Sequence, residues 1–399
     1  MTFETLALIA LVGILGPLLA TPSRWHLPVV LGELLAGVVL GRSGTGTLHA
    51  DNSTFTFLAD VGFALVMFVA GTHVPVRDSK LRSALRVGLL RALAVGVVSA
   101  GLGIALAHAF GTGHSALYGV LLASSSAALV LPIVDSLGLT GDSVLQMLPQ
   151  VAIADAACIV ALPLAIDPSH AARAALGALA VIACAGVAYV VLSYADRHGY
   201  RHRLHKLSER RSFALELRVD LLVLFALAAL AVQTHVSIML AGFSFGLVVA
   251  AIGEPRRLAR QLFAITDGFL GPLFFIWLGA SLNLRALGSH PSFILLGVTL
   301  GLGALVTHGV LRLTGQPLAL STLAAAQLGV PVAAATLGTQ LHLLRNGEPA
   351  ALILGALVTI GAATVAGSVL ARKSGTSADK PASPASPDNP PADGVRPPG

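Results

Sequence analysis

From residue 4 to residue 371 the chain is a succession of apolar segments, and most approach the length of roughly 20 residues that a helix needs to cross a bilayer. Hydrocarbon offers no water to backbone N–H and C=O groups, so such segments must close their own hydrogen bonds as helices. The segments number about 13 by that length criterion, with expected limits 4–21, 27–41, 54–74, 84–109, 115–134, 144–166, 172–194, 217–234, 236–252, 261–282, 292–313, 317–340 and 349–371. The fold class this predicts is all-α and polytopic. Composition excludes a soluble alternative: 55% of residues are hydrophobic and only 11% charged, against about 25% charged in ordinary soluble domains. So few charges cannot cover the water-facing surface of 399 residues.

The formal charge is +6, but the basic residues lie between apolar runs rather than interleaved with aromatics, which points to lipid and topology and not to nucleic acid. With 13 spans, Arg24, the Arg77–Arg86 group, the residues from Arg197 to Arg218, Arg256, Arg257, Arg260, Arg312, Arg372 and Lys373 fall on one side. Arg42, Arg173, Arg285 and Arg345 fall on the other. The positive-inside rule then puts the amino terminus outside and the carboxyl terminus in the cytoplasm, as expected for a multi-pass cell-membrane protein. Met1 to Leu19 lacks the basic start of a cleavable signal. Cys158 and Cys184 both sit inside apolar runs, as packing residues rather than a disulfide.

An internal repeat organises these segments. LADVGFALVMFVAG carries Asp60, Phe68 and Gly71, and ITDGFLGPLFFIWLGA carries Asp267, Phe275 and Gly279 in nearly the same order. Gly37 in GELLAGVVLG matches Gly246 in AGFSFGLVVA, and the fifth and twelfth segments each hold an interior proline, Pro132 and Pro331. The expected layout is a first six-helix repeat plus connecting helix 7 over 1–194, a basic cytoplasmic linker over 195–216, a second, inverted repeat over 217–371, and a disordered, Pro/Ser-rich cytoplasmic tail over 372–399.

Asp155 is the residue with most chemical content. It is a lone carboxylate in the middle of VLQMLPQVAIADAACIVALPLAI, where an ionisable group costs at least about 2.5 kcal/mol to insert and therefore marks an ion or proton path. A buried Asp that only hydrogen-bonds a neighbouring helix is the structural alternative. The fifth segment places Ser124, Ser125 and Ser126 ahead of Pro132, and the twelfth combines Gln327, Gly329 and Pro331. Each proline removes a backbone donor and frees a carbonyl one turn upstream. Serine and carbonyl oxygens are hard ligands for Na+ or K+, and interrupted helices at matching places in two halves point to a binding site. Close helix packing through small residues is the plainer account of the serines and glycines.

These motifs resemble the monovalent cation:proton antiporter superfamily, the sodium/hydrogen exchangers. LPVVLGELLAGVVLG, with Glu33 and Gly37, is similar to that family's second helix, LADVGFALVMFVAG to its third, SSSAALVLPIV to its unwound fifth, QVAIADAACIVALPL to its sixth and GPLFFIWLGASLNLRAL to its tenth. The resemblance implies a secondary antiporter exchanging Na+ or K+ for H+, with Asp155 as the shared proton and cation site aided by Ser124, Ser125 and Ser126. It also implies two inverted repeats with broken helices 5 and 12, a homodimer in lipid, and no cofactor beyond the transported ions. Ala154 stands where most members carry a polar or acidic residue, and Ala127 where many carry Thr; a single carboxylate implies electroneutral exchange. Segments 11 and 12 lack the family's occasional Lys or Arg, leaving His308 as a substitute. Gln327 and Glu33 are accessory candidates, Glu33 as a structural or funnel residue. Asp60 and Asp267 are expected to cap helix starts, and His73 and His235 to lie at the interface. A sodium-coupled symporter of an organic anion on a related inverted-repeat fold is the alternative. No phosphate loop, nucleophile elbow or metal-ligand spacing suggests an enzyme.

Overall fold

The computed structural model describes residues 1–20, 29–72, 79–167, 171–198, 214–234, 236–253, 256–282, 285, 288 and 291–378. His73, His235, most of the 195–216 linker and the tail beyond Ala378 lie outside these residues. The described chain is helical and contains no strand. Helices α1 (Phe3–Gly13) and α2 (Leu15–Ala20) fill the first expected segment, followed by α3 (Val29–Leu40), α4 (Ser53–Thr72) and α5 (Ser79–Phe110). The fifth segment is split into α6 (Ser115–Ala123) and α7 (Ala127–Ser136), ahead of α8 (Asp142–Ile166) and α9 (Ala171–Arg197). Then come α10 (Leu215–Gln233), α11 (Ile238–Ile252) and α12 (Arg256–Ile265), the last joined by a π-helical turn, Thr266–Leu270, to α13 (Gly271–Ser281). Helix α14 (Pro291–Gly309) tightens into a 3-10 turn, Val310–Thr314. The twelfth segment splits into α15 (Leu318–Ala324) and α16 (Gly329–Gln340), and α17 (Glu348–Ala378) runs past the expected end at 371. Among the described residues, eight helical stretches are long and apolar enough to span a membrane, with shorter apolar helices at Phe3–Leu18 and Ile238–Ile252.

The expectation that Asp60 and Asp267 start their helices is wrong. Helix α4 begins at Ser53, where the Asn52 side chain accepts from the Phe55 N–H at 3.1 Å, so the cap lies upstream and Asp60 sits in the second turn or beyond. Asp267 lies within the π turn that continues α12.

Small residues set how the helices meet. Helix α3 packs on α13 and α4 on α11, while α5 packs on α8 and α14 on α17. Numbered by apolar segment, these are contacts 2–10 and 3–9, then 4–6 and 11–13, a reciprocity that a twofold relation between halves requires. The glycines repeat it. A Cβ at Gly37 would stand 2.1 Å from the Ile276 carbonyl oxygen, and one at Gly279 would stand 2.1 Å from that of Leu34. The sequence-matched pair behaves alike: Gly246 would meet the Phe68 carbonyl at 2.2 Å and Gly71 that of Phe243 at 2.4 Å. Backbone-to-backbone approach of this kind maximises dispersion contact where lipid removes the hydrophobic drive. Helices α5 and α9 instead present exposed Leu90, Leu93, Val97, Leu176 and Val190 on their outer faces.

Connections pair up at the ends of the bundle. Arg285 donates to the Gly44 carbonyl at 3.1 Å and the Ser43 hydroxyl to that of Leu282 at 2.5 Å. Arg345 donates to the Gly111 carbonyl at 2.7 Å. Single-cysteine labelling in cells is expected to modify 195–216, 135–143 and 373–399 from the cytoplasm only; linker and tail labelled from opposite faces would refute the 13-span topology.

Candidate ion-binding site

The two interrupted segments cross at their breaks. Helix α6 stops at Ala123 because Ser124 turns extended (φ −69, ψ 149) and its hydroxyl donates to the Leu121 carbonyl at 2.9 Å. The Ser125 hydroxyl then donates to the carbonyl of Ala324, the last residue of α15, at 2.7 Å. After the three residues 124–126 the helix resumes, and the N–H of Ala127, its first residue, donates to Asp155 Oδ2 at 2.8 Å. Asp155 therefore sits on the amino end of α7, where orphan N–H groups and the helix dipole favour a negative charge. In the other break the Gln327 N–H donates to Thr359 Oγ1 of α17 at 3.2 Å, before the chain re-enters helix at Gly329.

The prolines are not where the chains open. Pro132 lies inside α7, so the carbonyl it leaves unpaired falls within the second half-helix and the serines form the break. Pro331 occupies the first turn of α16, where its missing N–H would have had no intrahelical partner anyway.

Asp155 is 5% exposed, and among the described residues no basic side chain forms an ion pair with it. One backbone N–H and a half-helix dipole are what oppose its charge, leaving its other carboxylate oxygen and several lone pairs unused. Ser124 and Ser125 donate their protons to carbonyls, so their oxygen lone pairs remain open; Ser126, also buried, makes no side-chain hydrogen bond among the described residues. His308 is fully buried with its ring beside the Ser124 backbone. Gln327 is buried with its amide nitrogen unpaired. The breaks thus bring together Asp155, the three serines, His308 and Gln327 in neighbouring elements. Glu33 is not among them: it is buried on α3, and a Cβ at Gly16 would meet its Cγ at 2.9 Å.

Three polar residues escaped the sequence reading. Gln150, in α8 ahead of Asp155, is fully buried with both amide atoms unpaired. Arg91 lies inside α5, donating from Nε to Thr314 Oγ1 at 3.2 Å with Nη1 unpaired; an Arg within an apolar run is the same signal that marked Asp155. Glu348 is fully buried at the start of α17, accepting from the Tyr118 hydroxyl at 2.8 Å, His114 Nδ1 at 2.7 Å and the Arg345 N–H at 3.0 Å. That cluster clamps the 111–114 connection to 345–348.

A seam runs beside the twelfth-segment break. A methyl group at Gly329 would touch Met67 Sδ of α4 at 3.4 Å and Met239 Sδ of α11 at 3.7 Å. Unbranched thioethers repack easily.

The chain is similar to several membrane transport proteins. A family model described as the sodium/hydrogen exchanger transmembrane domain matches residues 7–373. Relatives include the Na+/H+ antiporter NhaS5 of Synechocystis, 28% identical over 66% of this chain and 37% of that protein, and the glutathione-regulated potassium-efflux protein KefC of Enterobacter, 29% identical over 67% and 43%. The chain spans about three fifths of a Bacillus subtilis Na+/H+ antiporter homologue, YjbQ, at 24% identity, 61% of that protein being covered. Among solved structures, the sodium proton antiporter MjNhaP1 of Methanocaldococcus jannaschii superposes with a TM-score of 0.64 at 16% identity, covering 93% of this chain and 98% of that one. That likeness carries the fold, and the family match carries membership: this chain belongs to the sodium/hydrogen exchanger transmembrane family, a family of transporters.

Proposed function

We propose that the chain is a secondary antiporter exchanging Na+ or K+ for H+ by alternating access, with Asp155 as the shared site. The observation that carries this is a buried carboxylate, without a cationic side-chain partner among the described residues, at the junction of two crossed broken helices. Such a group must bind something to be electrically tolerable in a low dielectric, and a proton or a monovalent cation each neutralises it. Competition for one acid couples the two fluxes. The serine oxygens supply hard ligands to a dehydrated cation, and a proton needs none of them. An unloaded negative site is too costly to carry across.

By the family resemblance, segments 1–3 and 8–10 form a dimerising scaffold, segments 4–6 and 11–13 the moving core, and α9 the connector, in a homodimer with its amino terminus outside the cell membrane. The paired contacts of α3 with α13 and α4 with α11, and the methionines against Gly329, support that division. The names of NhaS5 and KefC support Na+ and K+ respectively as cargo.

With one titrating carboxylate the carrier is neutral whether loaded with H+ or with a cation. Transport is expected to be electroneutral, so a potential of 100 mV, worth about 2.3 kcal/mol per full charge, exerts no net force. The check is to clamp voltage in proteoliposomes and find the cation gradient that balances a fixed pH gradient. A balance point independent of voltage agrees; one that moves with voltage rejects one-for-one exchange and implicates a second titrating group, with His308 first in line.

A further inference from the structure

Asp60 is a membrane-embedded carboxylate that the exchange cycle above does not use. It does not cap its helix, and among the described residues it has no hydrogen bond or ion pair. It faces a cavity of about 260 Å³ whose walls come from four places: Asp60 and Phe63 on α4, Val232 on α10, Ser237 at the start of α11, and Thr336 and Gln340 on α16. Helix α16 is the half-helix that starts at the twelfth-segment break, whereas α4 and α11 belong to the proposed scaffold, so the cavity lies along the seam between them. Thr336 Oγ1 is buried with no partner. A second cavity of about 190 Å³ shares Leu337 and Leu341 and is lined by Asp167 and Arg173. Both cavities lie where the chain nears the 341–348 connection, on the face that also carries Arg173 and Arg345.

We infer that this cavity is a capture site for the transported monovalent cation, with Asp60 as its anionic ligand and Thr336 and Gln340 as neutral oxygen ligands. It rests on the exchange function proposed above and adds a second cation position at one mouth of the path. A carboxylate in a cleft with apolar, low-dielectric walls focuses its field and raises local cation concentration. A half-buried rather than fully buried acid keeps water on the ion, so binding is weak and release toward the breaks is quick. Asp60 thereby sets the concentration at which transport saturates from that face, not the turnover of the loaded carrier.

The test is cation-dependent proton flux in proteoliposomes of known protein orientation, titrating Na+ and K+ separately from each face. In Asp60→Asn the half-saturating cation concentration is expected to rise about fivefold, the size of one screened charge contact, from the face carrying residues 45–52 only. Maximal rate is expected to be unchanged, and Asp60→Glu to restore the wild-type value. Thr336→Val, which keeps the charge, is expected to raise it about twofold as loss of one neutral ligand, and serves if Asp60→Asn does not assemble. Unchanged half-saturation in the variant that assembles, or an equal rise on both faces, overturns the capture site. Absence of cation-driven proton flux in the wild type instead overturns the exchange function itself.

Discussion

Asp155→Asn is expected to abolish cation–proton exchange while leaving assembled protein in the membrane. The amide nearly preserves the carboxylate's volume and can still accept from the Ala127 N–H at the amino end of α7, so packing of α8 against its neighbours survives. What disappears is the charge that a proton or cation must neutralise. Flux at or below about one thousandth of wild type is the expected scale, since a neutral ligand forfeits a charge worth several kcal/mol at an effective dielectric near 20. The check is dye-reported proton flux beside size-exclusion of the solubilised variant. Near-wild-type flux would remove Asp155 from the site, and a collapsed elution profile would make it a structural residue.

The largest expected loss of folded protein comes from Gly37→Val and Gly246→Val. A Cβ at either would stand 2.1 or 2.2 Å from a backbone carbonyl oxygen of the facing helix, and backbone cannot rotate away as a side chain can. Separating α3 from α13, or α4 from α11, forfeits dispersion contact along the whole crossing, so a cost at or beyond about 3 kcal/mol, the upper end for overpacked cores, is expected for each. The two variants are expected to lower the melting temperature of detergent-purified protein to similar degrees. Gly96→Ala, with nothing within 4 Å of the added carbon, is the neutral control. Unchanged melting in Gly37→Val would mean that the crossing is looser than the helix positions require.

Much of this was legible in the sequence, for physical reasons that differ by feature. Helix positions follow from apolar length, because hydrocarbon leaves the backbone no alternative; every expected segment contains a helix or a pair of them. The interruptions at 124–126 and 325–328 were readable from serines and Gly329, but the prolines pointed a turn or two downstream, since a proline within the first turns of a half-helix does not open the chain. Asp60 does not start its helix because helix-start preference is a local rule, and Asn52 satisfies it earlier. Gln150 and Glu348 were invisible, because their interest lies in burial beside particular neighbours, His114 and Tyr118 for Glu348, and such neighbours are fixed by tertiary packing. Ser125 shows both halves of the lesson: its type announced a ligand or a packing residue, and only the fold shows that its hydroxyl reaches the end of α15.

The central claim, that this chain couples a monovalent cation to a proton, is tested most directly by one measurement. Purified protein in proteoliposomes, with no pH gradient at the start, receives an inward gradient of Na+, K+ or Li+, with choline as the control, and luminal pH is followed. Exchange predicts luminal alkalinisation driven by Na+ or K+, saturating with cation, absent with choline and lost in Asp155→Asn. Folded wild-type protein that moves no protons under any of the three cations would contradict it.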